Sequence, residues 1–141
     1  MPYELLSHPA DVKLRARGES LDAAFRAALD AVSAIVTDGD PVPAGERRTR
    51  QVAIEARTAE ALLFDLLDRV ILFQDVENAV VTGITGLSIH RSDDGFELSG
   101  TLVGAAIDPD ERAMDLKAPT YSEMRVVEDD DGWVLEAVLD V

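Results

Sequence analysis

Residues 59–75, AEALLFDLLDRVILFQD, predict a helix that is apolar over most of its circumference. Thr58 precedes the stretch and makes a good N-cap, because its hydroxyl can accept a hydrogen bond from a free amide of the first turn. A helix with apolar side chains around most of its surface lies against a sheet, and often against a second surface as well. The rest of the chain has to supply that sheet.

Another helix is predicted closer to the N-terminus. Ser20 is its expected N-cap, and the helix runs to about Val36. Residues 37–48, with several prolines and glycines, then predict a loop. The apolar residues of this helix recur at helical spacing and form one wide stripe. They are Leu21, Ala24, Phe25, Ala28, Leu29, Val32, Ile35 and Val36.

The remaining segments predict strands. Two pairs of them flank the turn sequences 92–95 and 128–132, which are strong hairpin signals. The predicted strands cover residues 3–6, 12–17, 49–57, 79–91, 96–107, 120–127 and 133–141. This order of elements predicts an α+β fold in which two helices pack on mixed β-sheets or on two small sheets. A length of 141 residues indicates one domain, spanning residues 1–141.

Composition restricts the classes of function. Hydrophobic residues make up 47% of the chain, which is enough for a packed core. The chain has no cysteine, no apolar run long enough to span a membrane and no signal-peptide pattern at its start, so a cytoplasmic protein is expected. Its 28 acidic and 13 basic residues give a net charge of −15. Such a surface repels phosphate backbones, which argues against direct nucleic-acid binding and is typical of proteins adapted to high salt.

Three groups form a candidate anionic cluster. The last predicted strand brings the main-chain carboxylate of Val141 beside the side chain of Asp140, and Asp11 lies near the other end of the chain. Two anions about 4 Å apart repel by roughly 4 kcal/mol at an effective dielectric near 20. A fold that holds them together favours a proton, a basic partner or a cation between them. Asp140 shares a strand face with Val134 and Val138, which predicts partial burial.

Taken singly, these residues have ordinary explanations. Asp11 suits a turn after Pro9, Asp140 suits an edge strand that resists aggregation, and Lys117 suits a solubilising surface charge. Residues 108–113 do not form a calcium loop, because an arginine occupies a ligand position and the glycine of the sharp turn is missing. His90 is expected to be exposed, and no nucleophile elbow is present.

Five segments, in order and near the right spacing, resemble the archease family. The resemblance covers most of the chain and is carried by His8-Pro9-Ala10-Asp11-Val12, the first helix from Leu21 after Gly18, the second helix from Glu60, Asp115-Leu116-Lys117-Ala118-Pro119-Thr120-Tyr121, and Ala137-Val138-Leu139-Asp140-Val141. Three positions depart from the family pattern. Pro9 replaces a threonine, Lys13 a glycine and Ser122 a histidine.

The resemblance implies a fold of nested strand-helix-strand-strand units. It also implies an accessory protein, not itself an enzyme, that activates an RtcB-type RNA ligase in tRNA splicing or RNA repair. That ligase uses GTP and manganese through a guanylylated histidine, and the accessory protein promotes guanylylation and multiple turnover. The implied metal ligands are Asp11, Asp140 and the main chain of Val141, with Ca²⁺ as the first candidate and Mn²⁺ or Mg²⁺ as alternatives. Lys117 matches a lysine implicated in activation of the ligase.

Two other hypotheses remain from the sequence alone. A general chaperone or protein-interaction module would use the acidic residues only for solubility, without a specific metal site. A small-molecule-binding enzyme domain would need a sizeable pocket with convergent polar groups, for which the sequence gives no specific sign.

Overall fold

The computed structural model describes residues 2–6, 11–42 and 44–141. The elements are β1 (Tyr3–Leu6), β2 (Asp11–Gly18), α1 (Leu21–Thr37), β3 (Arg47–Ala56), α2 (Ala59–Glu77), β4 (Ala79–Ser92), β5 (Gly95–Ala106), β6 (Ala118–Asp129) and β7 (Gly132–Asp140). A single turn of 3-10 helix (Pro109–Glu111) lies in the connection between β5 and β6. The predicted order of strands and helices is confirmed.

The strands form two sheets. One has the order β1-β2-β7-β6 and the other β3-β5-β4. The unit β3-α2-β4-β5 is inserted in the chain between α1 and β6, so it is nested within the outer unit β2-α1-β6-β7. The α+β class is confirmed. The expectation of mixed sheets is corrected, since every strand pair in the described part of the chain is antiparallel.

Both helices contribute to a core between the two sheets. Helix α1 contacts β2 of the four-stranded sheet and β4 of the three-stranded sheet, and α2 contacts β6 as well as β3, β4 and β5. The second helix thus has the two covered sides that its apolar circumference predicts. The large side chains with almost no exposed surface are Phe25, Phe73, Leu14, Leu29, Leu62, Leu63, Leu66, Leu67, Leu98, Leu102, Leu135 and Leu139.

The helix caps follow local chemistry. Ser20 Oγ accepts a hydrogen bond from the Ala23 amide at 3.1 Å, and Thr58 Oγ1 accepts one from the Ala61 amide at 3.0 Å. Both predicted N-caps are therefore confirmed. At their C-terminal ends the helices stop where Asp38 and Asn78 adopt left-handed backbone conformations. In the described residues, no helix combines the length and apolar content needed to cross a membrane.

Candidate cation site at the β2–β7 end

The candidate residues Asp11 and Asp140 are directly opposite each other in the antiparallel pair of β2 and β7. Side chains that are opposite in such a pair project from the same face, with Cβ atoms about 4.5–5.5 Å apart. Two carboxylates are thus held side by side at the point where β2 begins and β7 ends. The pairing brings together residues from opposite ends of the chain.

The main chain of Lys117 is fixed to the same position. Its amide donates a hydrogen bond of 2.9 Å to the carbonyl oxygen of Asp140, and the next residue, Ala118, pairs with Asp140 in the β6–β7 ladder. Asp140 therefore lies between Asp11 on one side and the start of β6 on the other. Lys117 is exposed, and Val141 follows Asp140 directly as a half-buried residue. All four candidate residues meet at this end of the sheet.

The predicted partial burial of Asp140 is wrong. Val134 and Val138 share its face and are buried, but Asp140 itself is exposed. The difference arises because Asp140 is the last residue of β7, where the sheet ends and water reaches the side chain. An exposed carboxylate keeps its hydration. Burial therefore gives no reason for Asp140 to have a charged partner.

The oxygen donors at this end suit a hard divalent cation. Carboxylate and main-chain oxygens are the preferred ligands of Ca²⁺, which takes six to eight oxygens at about 2.3–2.6 Å. Within residues 2–6, 11–42 and 44–141, no three side chains of His, Cys, Asp or Glu are grouped to hold a metal ion. The available set here is two carboxylates, from Asp11 and Asp140, together with the main chain of Val141. Such a set fits a cation that takes its remaining oxygens from water or from a partner.

A charge network lies on the same sheet face, beside the carboxylate pair. Glu136 is buried, with only 7% of its surface exposed, and it pairs with Arg15 across β2 and β7. Its oxygens lie 3.3 Å from Lys13 Nζ, 3.3 Å from Arg15 Nη2 and 3.4 Å from Arg125 Nη1. Burial alone would raise the pKa of Glu136, but the hydrogen bonds and charges of Lys13 and Arg15 outweigh it and lower that pKa.

Lys13 joins this network to an irregular part of β6. The pairing of β6 with β7 shifts between Thr120 and Arg125, and Glu123 there has a positive φ of 60°. Lys13 Nζ lies 3.3 Å from Glu123 Oε1. That hydrogen bond raises the pKa of Lys13; burial opposes the rise and Glu136 adds to it.

Two of the three departures from the family pattern are therefore close in space. Lys13 pairs with Glu123, and Ser122 is the residue next to Glu123 in the chain. Ser122 is exposed, and its amide donates to Thr120 Oγ1 at 2.8 Å. The third departure, Pro9, lies outside the described residues, as does His8.

Two residues with several polar contacts, Glu136 and Arg112, were not identified as important from the sequence. Glu136 is one of several acids in an alternating strand, and only its position opposite Arg15 distinguishes it. Arg112 was noted only because it disfavours a calcium loop. Its hydrogen-bond acceptors lie in and just after α2, and no local spacing could predict them.

His90, another residue considered for a functional role, lies on the other sheet. His90 is exposed, as expected, and faces Glu97 across β4 and β5. A depression of about 320 Å³ beside it is lined by Ser88, Ser99 and parts of β3. It lies on the three-stranded sheet, whereas Asp11 and Asp140 are on the four-stranded sheet.

Comparison with known proteins agrees with the fold and the motifs. The archease protein family matches residues 3–141. The chain is 28% identical to the archease of Pyrococcus abyssi, over 99% of this chain and 98% of that protein, and 31% identical to that of Methanothermobacter thermautotrophicus, over 97% and 96%.

Two solved structures are similar. The solution structure of Methanobacterium thermoautotrophicum protein 1598 has a TM-score of 0.78 at 30% identity and covers 99% of both chains. The crystal structure of a Thermotoga maritima archease, described as a possible chaperone, has a TM-score of 0.63 at 20% identity. It covers 96% of this chain and 94% of its own, and at that identity it supports the fold alone.

Proposed function

The chain belongs to the archease family, and on that premise we propose that it is an accessory activator of an RtcB-type RNA ligase. In this proposal it promotes guanylylation and multiple turnover of the ligase and does not itself join RNA. Asp11, Asp140 and the main chain of Val141 hold a divalent cation, with Ca²⁺ as the first candidate and Mn²⁺ or Mg²⁺ as alternatives. Lys117 acts on the partner. The assignment of the whole chain, residues 1–141, to one domain is part of the same proposal.

The observation that supports this proposal is the pairing of Asp11 with Asp140 at the residue to which Lys117 is anchored. The two carboxylates offer oxygens on an exposed end of the sheet, and the Lys117–Asp140 hydrogen bond keeps the main chain of the lysine next to them. A bound cation would offset the repulsion between the carboxylates and could share ligands with a second protein. The same edge thus combines a cation-binding pair with a basic residue.

The charge of the chain indicates the chemistry of the partner. A net charge of −15 disfavours contact with RNA phosphates and favours contact with a basic surface. An RNA ligase has to present basic groups to its substrate. An acidic accessory protein can therefore approach the ligase without competing as an RNA-binding protein.

Ligase guanylylation provides the test. We expect the parent protein to increase the rate of guanylylation of the cognate ligase by GTP, and we expect Asp11→Ala, Asp140→Ala and Lys117→Ala to lose most of this increase. Asp93→Ala, at the tip of the hairpin between β4 and β5, removes an exposed acid from the three-stranded sheet, which does not carry the site, and serves as the control. Thermal unfolding establishes that each variant is folded. Folded variants that stimulate the ligase as well as the parent would refute the proposal.

The chaperone or interaction-module hypothesis makes a different prediction for metal binding. It predicts no stoichiometric site and no dependence on Asp140. Calorimetric titration with Ca²⁺ and with Mn²⁺ separates the two hypotheses. One bound ion that is lost in Asp140→Ala supports the accessory function, and identical titrations of parent and variant support the alternative.

A further inference from the structure

The connection between β5 and β6, residues 107–117, is fastened at the C-terminal ends of both helices. The Ile107 amide donates to the carbonyl of Asn78, which follows α2, at 2.9 Å. The Ala113 amide donates to the carbonyl of Val36, in the last turn of α1, also at 2.9 Å. The connection ends at Lys117, whose amide donates to Asp140. Its path from the helix ends to the carboxylate pair is therefore defined by hydrogen bonds.

The side chain of Arg112 anchors this connection to the end of α2 through several polar contacts. Only 7% of it is exposed. Nη2 donates to the carbonyl of Gln74, in the last turn of α2, and to the carbonyl of Ala79 at 3.3 Å. Nη1 lies 3.3 Å from Asp75 Oδ1 and 3.8 Å from Asp115 Oδ1.

The C-terminal end of helix α2 is stabilised by a cationic hydrogen-bond donor. The last carbonyls of a helix lack partners within the helix, and the helix dipole favours a cation there. The last turn of α2 contains no basic residue, so Arg112 supplies the cation from a distant part of the chain. Within the described residues its Nε is buried without a hydrogen-bond partner. The guanidinium therefore keeps this position although one of its donors is unsatisfied.

We propose that Arg112 is a positioning residue for Lys117. By binding the C-terminal end of α2, it fixes the connection five residues before Lys117 and so sets where the lysine lies relative to Asp11 and Asp140. This inference rests on the proposed function, in which Lys117 acts on the ligase. Arg112 does not itself need to touch the partner or the cation.

The first test measures the connection directly and needs no ligase. In Arg112→Gln, hydrogen exchange of the Ala113 and Lys117 amides should accelerate at least tenfold, while exchange in β2 and β7 stays near the parent rate. Arg69→Gln is the matched control, because Arg69 is an exposed arginine of α2. Unchanged exchange at Ala113 and Lys117 in a folded Arg112→Gln variant would overturn the inference.

The second test separates positioning from general stability in ligase activation. We expect the maximal stimulation by Arg112→Gln to fall roughly tenfold, since a displacement of about 1 Å can cost up to roughly 10²-fold in rate. The half-saturating concentration and the Ca²⁺ affinity should stay within about twofold of the parent. A partly unfolded variant would instead raise the half-saturating concentration and keep the maximum. That second pattern would count against a positioning role.

Arg112→Lys extends the test. It keeps the cation but loses the planar guanidinium, whose Nη2 reaches two carbonyls and whose Nη1 reaches Asp75, so we expect an intermediate maximal stimulation. If Arg112→Gln does not fold, the lysine variant decides alone, and parent-like stimulation with parent-like amide exchange would refute the role. The proposed function fails separately, if Lys117→Ala activates like the parent. If Lys117→Ala is inactive and the Arg112 variants are fully active, only the present inference fails.

Discussion

Lys13 Nζ lies 3.3 Å from Glu136 Oε2, and this contact ties the centre of β2 to the centre of β7. Arg15 on β2 and Arg125 on β6 contact the same carboxylate from the two strands that flank β7. Glu136 is thereby a buried anion with three cationic neighbours, on the face that also presents Asp11 and Asp140. The stability of this sheet should therefore depend on the charge of one carboxylate.

We predict that Glu136→Gln lowers the free energy of unfolding by about 1–3 kcal/mol at neutral pH, because three partly exposed cationic donors lose a charged acceptor that is itself buried. The pKa of Glu136 is lowered in the folded state from an ordinary value of 4.5. Its stabilising contribution is thus fully present above about pH 4.5 and is lost as the pH falls through the folded-state pKa. Urea denaturation from pH 7 down to pH 3 should show the parent and variant converging on the acid side.

Glu4→Gln provides the control for this prediction. Glu4 lies 3.6 Å from Arg15 with more than half of its side chain exposed, so the loss should be at most about 0.5 kcal/mol. A constant difference between parent and Glu136→Gln down to pH 3 would contradict the assigned role of the charge.

Local chemistry explains why most of the fold could be predicted. Ser20 and Thr58 begin helices because their hydroxyls satisfy first-turn amides, and such signals need no knowledge of the rest of the chain. The end of α2 was predicted two residues early, because Val76 and Glu77 extend the helix until Asn78 turns left-handed. The start of β3 was predicted two residues late, because pairing with β5 draws Arg47 and Arg48 into the sheet.

The site was only partly accessible to sequence reasoning. The predicted strands suggested a cluster of Asp11, Asp140 and Val141, and resemblance to a family added Lys117. The β2–β7 register then places Asp11 and Asp140 opposite each other. The Arg112 contacts depend on where α2 ends relative to a distant connection. The irregular pairing of β6 with β7 around Glu123 depends on how the two strands align. Such relationships are properties of the folded chain and leave no periodic signal.

Gly104→Ala should destabilise the protein by about 1–3 kcal/mol, the usual cost of overpacking. A Cβ at this position would lie 2.6 Å from the carbonyl oxygen of Val80 and 2.8 Å from the Phe73 ring, and the backbone cannot move aside easily. Gly104 thus marks a close approach of two backbones, whereas the irregular pairing of β4 with β5 lies near Gly83 and Gly86 in β4. Urea denaturation at neutral pH measures the effect.

Gly83→Ala is the matched control for that change. Gly83 lies in the adjacent strand β4, and nothing lies within 4 Å of a Cβ built there. Its φ is not in the left-handed region, so alanine should be neutral or stabilising by up to about 1 kcal/mol. Equal losses in the two variants would show that the loss of glycine, not the contact with Val80, sets the effect.

Asp140→Asn should separate metal binding from folding. If the parent binds Ca²⁺ at this position, a free concentration of 100 times the dissociation constant raises its stability by about 2.7 kcal/mol. The variant should lose that increase yet be no less stable than the parent without metal, because like charges opposite each other in a ladder are unfavourable. Asp93→Asn should keep the full Ca²⁺ effect. Equal Ca²⁺-dependent stabilisation of parent and Asp140→Asn would contradict the assignment of Asp140.

High salt should stabilise the chain if its acidity is an adaptation to a saline environment. A net charge of −15 opposes the compact state, and raising the salt from 0.1 M to 1 M shortens the Debye length from about 10 Å to about 3 Å. We expect the melting temperature to rise by several degrees, about 4 °C for each kcal/mol at this size. The double variant Asp130→Asn/Asp131→Asn, at an exposed hairpin tip, should be more stable than the parent in low salt only. Calorimetry that finds the parent equally stable at both salt concentrations would refute the salt-adaptation hypothesis.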